Sequence, residues 1–480
     1  MNKLLLSACI AVLSISFTAC SDDDDNTYTH TTTGTTTTSE DNTTISDTTL
    51  EANRFVYETM SDYYYWYTQM PNLDYRKQSD TEEYFDNLLY SGDKFSFITD
   101  DAEAYLKAEE GISTEKGWDY TLMLYSSKDD QVVGVVNYVY ANTPAAKAGA
   151  KRGDIIVTVD GSKMTTSSYS SFYNSTTTYG VKRFNTETNS YDDLEYSITA
   201  AEISTSPVAE HSIFETEKGK VGYLLYMDYY AEFNNELTSV FSEFKSEGVT
   251  NLILDLRYNT GGAMTAMQHL CSLIAPQSNV ANKDLLIWYE FNDKLQQSYN
   301  KESSATYFND TLATNSLGLD KVIILVGSST YSASEATIIG LQPYMDVYTI
   351  GYTTGGKNTS MFVMSPSDFT YSKTGKPYYS SYINNWLIAP IVAVYKNSAS
   401  YTFDTTDGDG MEPDYSFNEY GVDYMGILGN ADEPLTALAI EYIENGTISS
   451  DNNKAAMVEP NIIAHSDRIG GAIINKPQDF

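Results

Sequence analysis

Histidine and cysteine are scarce in this sequence. The four histidines, His30, His211, His269 and His465, stand far apart, without a spacing that would let two of them share a metal ion, and zinc sites draw on clustered His and Cys. No metal and no cofactor is expected. Basic residues are outnumbered as well: 29 Lys and Arg face 65 Asp and Glu, a formal charge of −36. A surface of that sign repels nucleic acid and anionic membranes, so a nucleic-acid partner is excluded from the reading. No ordinary membrane span is in view, because the apolar stretch from Leu4 to Phe17 is too short and too early in the chain. What is abundant is tyrosine, 41 residues, with many Ser, Thr and Asn, a composition usual on extracytoplasmic proteins. With 41% apolar residues over 480 positions, two or three domains with real cores are affordable on length alone.

Lys3 followed by that apolar stretch reads as a secretory signal over residues 1–19. It ends in Phe17-Thr18-Ala19-Cys20, similar to a bacterial lipobox, in which the cysteine is acylated and becomes the mature N-terminus. The run Ser21-Asp22-Asp23-Asp24-Asp25 resembles acidic signals that send lipoproteins of Gram-negative bacteria to the outer face of the outer membrane; a bare solvated charge run is the alternative. The expectation is an outer-membrane lipoprotein facing the cell surface, with the periplasmic face as alternative and the lipid as its sole membrane contact. With Cys9 in the signal and Cys20 lipidated, Cys271 is the remaining thiol, and no internal disulfide is possible.

Residues 20–50 hold almost nothing apolar and read as a flexible tether. Residues 51–110, with Phe55, Met60, Tyr63 and Trp66 at helical spacings and a capping-box-like Thr81-Glu82-Glu83-Tyr84, predict a small helical domain. Residues 111–205 turn to strand patterns at Tyr120–Tyr125, Val132–Tyr140 and Ile155–Val159. Between them, Thr143-Pro144-Ala145-Ala146-Lys147-Ala148-Gly149 predicts a short helix, and Gly153-Asp154 a turn into the next strand; this is the pattern of a PDZ domain. From 206 to 445 strands and helices alternate, which predicts a largely parallel α/β sheet. Its strands are Val221–Met227, Asn251–Leu256, Leu285–Phe291, Val322–Val326, Val347–Ile350 and a late strand Trp386–Tyr395. Leu237, Val240, Phe241 and Phe244 form a helical stripe closed by Gly248. A further helix covers 333–341, and residues 446–480 carry no readable signal.

Three segments of the α/β region can hold chemistry. The strand Val322–Val326 leads into Gly327-Ser328-Ser329-Thr330-Tyr331-Ser332-Ala333-Ser334-Glu335, which puts Ser332 on a strand-to-helix turn where helix N–H groups converge on one spot. The same Ser332-Ala333-Ser334-Glu335 is also a capping box, and by itself reads as a cap. Asp255-Leu256-Arg257-Tyr258-Asn259-Thr260-Gly261-Gly262 leaves a buried strand for a double glycine that lets backbone approach a ligand. Gly355-Gly356-Lys357 places a lysine at a sharp turn after Val347–Ile350. A rival arrangement would use His269, on the helix after the double glycine, in a Ser–His–Asp triad, although a lone helical histidine is more often a core or surface residue.

These segments, in this order, resemble the carboxyl-terminal processing peptidases, or tail-specific proteases, over roughly residues 51–445, including Gly410-Met411-Glu412-Pro413-Asp414. The resemblance implies an α/β protease core with a PDZ domain and a helical N-terminal domain, and endopeptidase activity on protein or peptide substrates. It makes Ser332 the nucleophile and Lys357, 25 positions on, the general base. The N–H groups of Ala333 and of Gly261 or Gly262 become the oxyanion hole. Lys357 must then be buried, because an unperturbed lysine titrates near ~10.4. One departure stands out: the family commonly has glutamine four residues after the lysine, where this chain has Met361, so Asn358, Thr359 or Ser360 is the candidate to orient the amine. In the PDZ domain, Gly117, Trp118, Asp119 and Tyr120 stand where the carboxylate-binding loop and its strand begin, and Asp119 is expected to oppose an incoming carboxylate. A catalytically weak peptide-binding protein on the same fold is the alternative, and oligomeric state stays open.

Overall fold

A computed structural model describes residues 45–125, 130–371, 374–405, 410–449, 462–465 and 472–473. The signal, the acidic run, Cys20 and most of the tether lie outside the described residues. Among the described residues no helix is long and apolar enough to cross a membrane.

The helical segment opens with Asp47–Tyr63, whose N-cap Ser46 accepts the N–H of Thr49 at 3.0 Å. Its buried face, Ala52, Phe55, Val56, Met60 and Tyr63, joins the same apolar core as the α/β region, so this segment has no separate core. Two polar links fix its position: Tyr65 N–H donates to Ile391 O at 2.8 Å, and Ile391 N–H donates to Ser96 Oγ at 2.9 Å. The short strand Phe97–Thr99 then pairs antiparallel with Leu387–Ala389.

The PDZ region is reached and left through a two-stranded neck, Ile112–Glu115 against Ala201–Ser204. Beyond it Trp118–Leu124, Gln131–Val139, Ile155–Val159, Thr176–Asn185 and Ser190–Thr199 follow one another across one antiparallel sheet. Trp118, Tyr120 and Leu122 point to its core with Phe172 and Tyr179. Strand alternation sends Asp119, Thr121 and Met123 to the opposite face.

The α/β region contains a six-stranded sheet in the order Val208–Thr216, Gly219–Tyr226, Val249–Asp255, Lys321–Val326, Asp346–Gly351 and Tyr415–Ser416. Only the first pair is antiparallel. The helix Asn234–Glu247 covers one face with Leu237, Val240, Phe241 and Phe244, all buried, and stops at Gly248 in the left-handed conformation at φ 75°. Each such side chain contributes about 1.5–3 kcal/mol. Trimming Phe241 to Ala should cost about 3–5 kcal/mol.

Two expectations are corrected here. Leu285–Phe291 does not join the parallel sheet; it pairs antiparallel with Ile391–Asn397 in a second, five-stranded sheet that also contains Thr359–Met361. The single strand expected over 386–395 is two, Leu387–Ala389 and Ile391–Asn397. They are separated at Pro390, which has no N–H to give a ladder.

Candidate active site

The strand Lys321–Val326 is buried after its first residue, and the helix Ala333–Leu341 is buried at every position. A strand and a helix both fixed by core packing leave the turn between them little freedom. Ser332 occupies that turn at φ 59°, ψ −109°, a backbone conformation costing a non-glycine residue on the order of 1–3 kcal/mol. Its side chain is fully buried, and Oγ has no hydrogen-bond partner among the described residues. The capping box is therefore half made: Ser332 N–H donates to Glu335 Oε2 at 2.8 Å, but the serine hydroxyl does not serve as a cap.

Glu335 does more than complete a helix start. Its buried carboxylate accepts from Ser332 N–H, from Lys357 N–H at 2.8 Å, from Gly356 N–H at 2.9 Å and from Thr354 Oγ1 at 2.6 Å. Burial raises its pKa, and those four hydrogen bonds pull the other way. One side chain thus ties the serine turn to the lysine turn. A second tie is Tyr395, whose hydroxyl lies 2.9 Å from Ser332 O and 2.7 Å from Lys357 O. Gly355 packs so closely on the serine turn that a Cβ there would sit 2.0 Å from the Tyr331 ring. The Gly410–Asp414 stretch braces this from outside: Met411 N–H donates to Thr354 Oγ1 at 2.7 Å, and Asp414 accepts from Thr349.

Lys357 is 2% exposed, and desolvation lowers its pKa from 10.5 to about 7, against the opposing pull of Asp93 and then Glu335. Its Nζ lies 4.7 Å from the centre of the Phe95 ring. Asn358 is engaged elsewhere, with Phe403 O at 2.8 Å, and the hydroxyls of Thr359 and Ser360 have no hydrogen-bond partner among the described residues. None of the three is seen to orient the amine. The Phe95 ring and the charge of Asp93, both from the N-terminal region, act on it; Asp93 is held by Tyr64 OH at 2.8 Å and by the N–H groups of Phe95 and Ser96.

The double glycine abuts the serine. A Cβ on Gly261, at φ 105°, would lie 2.9 Å from Ser332 Cβ and 3.1 Å from Ala333 N, so only glycine fits. The N–H of Gly261 is committed to Asn259 Oδ1 at 2.8 Å. Gly262 forms a parallel bridge with Tyr229, made by Tyr229 N–H to Gly261 O and Ala263 N–H to Tyr229 O. In that pattern Gly262's own N–H faces away from Tyr229, and Ala333 N–H, at the first helical position, needs no helical acceptor. Of the three donors named from the sequence, Gly262 and Ala333 have no acceptor among the described residues.

His269 is turned elsewhere, with Nε2 2.7 Å from Thr238 Oγ1. In the PDZ region Trp118 and Tyr120 are core residues, and Gly117 takes φ 80°. Asp119 is buried on the face opposite them, accepting from Asn137 Nδ2 at 2.7 Å. It stands toward Tyr420, whose hydroxyl meets both Thr121 and Asn137, so the expected opposition to a carboxylate is not built. Arg152, in the Gly149–Asp154 turn, crosses to the α/β region and reaches Glu419 at 2.7 Å, beside Arg257, Asp255 and Glu433. Among the described residues no group of His, Cys, Asp and Glu is arranged to hold a metal ion.

Residues 220–416 match the model of peptidase family S41, residues 51–97 the peptidase S41 N-terminal domain and residues 135–171 a PDZ domain. Over its N-terminal segment and its α/β region the chain is thus similar to peptidase family S41. It is similar to a carboxyl-terminal-processing protease of Synechocystis sp., 26% identical over 236 residues that make up 48% of this chain and 50% of that one; the match thus spans about half the length of that relative. Its fold is similar to that of a Bacteroides fragilis protein assigned to the S41 proteases, with TM-score 0.63 and 26% identity over 82% of this chain and 97% of that one. A photosystem II D1 C-terminal processing protease aligns with TM-score 0.47 and 19% identity over 78% of this chain and 93% of that one.

Proposed function

We propose that the chain is a serine endopeptidase acting on protein or peptide substrates, with Ser332 as nucleophile and Lys357 as general base. The observation that carries this reading is the joint anchoring of a strained, unpartnered serine and a buried lysine of lowered pKa to one carboxylate, Glu335. Neutral Lys357 takes the hydroxyl proton as Ser332 Oγ bonds to the peptide carbonyl carbon. The oxyanion is held by the N–H groups of Gly262 and Ala333, worth roughly 3 kcal/mol per donor. Collapse breaks the C–N bond, and the Lys357 ammonium returns its proton to the leaving amine. Water then attacks the ester, Lys357 takes its proton, and Ser332 leaves as the hydroxyl. The PDZ region assists by adding a substrate's C-terminal tail as a strand along Trp118–Leu124, next to Gly117.

Labelled casein is the test: Ser332→Ala and Lys357→Ala should each lose turnover while keeping the wild-type circular dichroism, and chelators should change nothing. Unchanged proteolysis by either variant sinks the assignment. Lipidation of Cys20 and display at the surface of a Gram-negative cell belong to the same proposal. Cys20→Ala should leave the membrane fraction, and added protease should reach the wild type on intact cells.

A further inference from the structure

The outer edge of Trp118–Leu124, the edge on which that reading docks a substrate tail, is already taken. Ile462–His465 lies along it antiparallel, with Ile462 opposite Met123, Ala464 opposite Leu122 and His465 opposite Thr121. Ile463 and Ala464 pack on the core of the PDZ region. The direction is that of an added ligand strand, because the segment advances from Met123 toward Thr121, and so toward Gly117.

A second edge is taken by the same stretch of chain. Ala472–Ile473 pairs in parallel with Thr359–Met361, Ala472 opposite Ser360 and Ile473 opposite Met361. That edge strand begins two residues after Lys357. The seven steps from His465 to Ala472 reach at most about 25 Å when extended, which limits how far apart the two docking points can lie. An edge strand offers one row of N–H and C=O groups, and a row that is paired cannot pair again. Ser332, meanwhile, is fully buried.

We propose that residues 462–465 and 472–473 are a built-in competitor of substrate, held in cis on the strand edges beside the PDZ loop and the Ser332–Lys357 pair. Substrate enters by displacing them. The proposal rests on the peptidase reading for what is displaced, but its core claim concerns binding. A tethered strand acts at an effective concentration in the millimolar range, so even weak docking lowers the apparent affinity of a free peptide about tenfold.

The test uses the full chain in the non-cleaving Ser332→Ala form, with and without residues 462–480, and a fluorescent decapeptide ending in a free apolar residue. Removing 462–480 should tighten peptide binding roughly tenfold by the tethering argument. It should also expose the Leu122 amide, which faces that edge, to hydrogen exchange until peptide is added. Ala464→Pro in the full chain removes one strand N–H and should act in the same direction, which keeps the proposal decidable if the shortened chain melts early. In the Ser332 form the shortened chain should show a lower KM at unchanged kcat. Equal or weaker peptide binding after both changes, with exchange at Leu122 unaltered, overturns the proposal and means the segment only completes the sheet. Tighter binding with no turnover in any Ser332 form would instead remove the peptidase reading and leave the competitor standing.

Discussion

Two buried lysines, one in each half of the molecule, separate what burial alone does from what a reactive site needs. Lys116 in the PDZ region is 6% exposed, and desolvation lowers its pKa to about 8. Lys357 in the α/β region is 2% exposed and lowered to about 7. By pKa they are near twins. Their surroundings differ: Lys116 Nζ is encircled by Phe172 O, Asn174 O, Thr177 Oγ1 and Tyr179 OH at 2.7–3.3 Å, all neutral groups that a loop and a strand must present together. Lys116 is a staple for that loop. Lys357 faces an aromatic ring, and its backbone is tied to a strained serine. A lowered lysine pKa marks burial; only the second set of ties makes it a candidate base.

The sharpest way to break this comparison is to remove both cations. Lys357→Ala should cut kcat by roughly a thousandfold or more, as expected when a member of a catalytic unit is lost, whereas Lys116→Met should keep kcat within about threefold and act on peptide affinity and thermal stability. Comparable losses of kcat in the two variants would erase the distinction. Glu335→Gln comes next. It leaves the serine and lysine side chains intact but loosens the tie between their turns, and misplacement on the order of 1 Å costs about a hundredfold. Casein turnover should therefore fall to that extent, without a matching rise in KM.

The pH profile sharpens the contrast further. In the proposed mechanism Lys357 acts as a base in its neutral form, so kcat/KM should rise as pH passes upward through about 7. Asp93 favours the ammonium form, so Asp93→Asn should move that rise to lower pH, and Lys116→Met should leave it in place. A flat profile from about pH 6 to 9 would speak against a lysine base. The smallest effect concerns strain: Ser332→Gly should be more stable than Ser332→Ala, by about 1 kcal/mol, because glycine accepts a positive φ. Urea denaturation of the two inactive proteins reads the difference directly.

The junctions that carry Ser332, Lys357 and the double glycine were legible because local sequence announces each of them: strand end, turn, helix start. Glu335 was legible only as a cap partner, since its bonds to Gly356 and Lys357 join residues about twenty positions apart. Phe95, Asp93 and Tyr395 gave no signal at all, for they reach the lysine through tertiary packing from distant parts of the chain. Proline at 390 did carry a readable warning against an unbroken strand. Asp119 was misjudged because strand alternation, set by Trp118 and Tyr120 turning inward, decides which way it faces. The pairing of 462–465 and 472–473 depends on edges made by other segments, so no pattern within them could announce it.

The neck formed by Ile112–Glu115 and Ala201–Ser204 has an architectural consequence. Because the two passages of the chain lie side by side, with Ile112 opposite Ser204 and Glu115 opposite Ala201, everything between them is a cassette spliced into a host whose own continuity needs only a short bridge across the gap. Replacing residues 116–200 with a two-residue hairpin turn should leave a host that still unfolds cooperatively. Foreign peptide-reading modules with adjacent ends could be grafted at the same place.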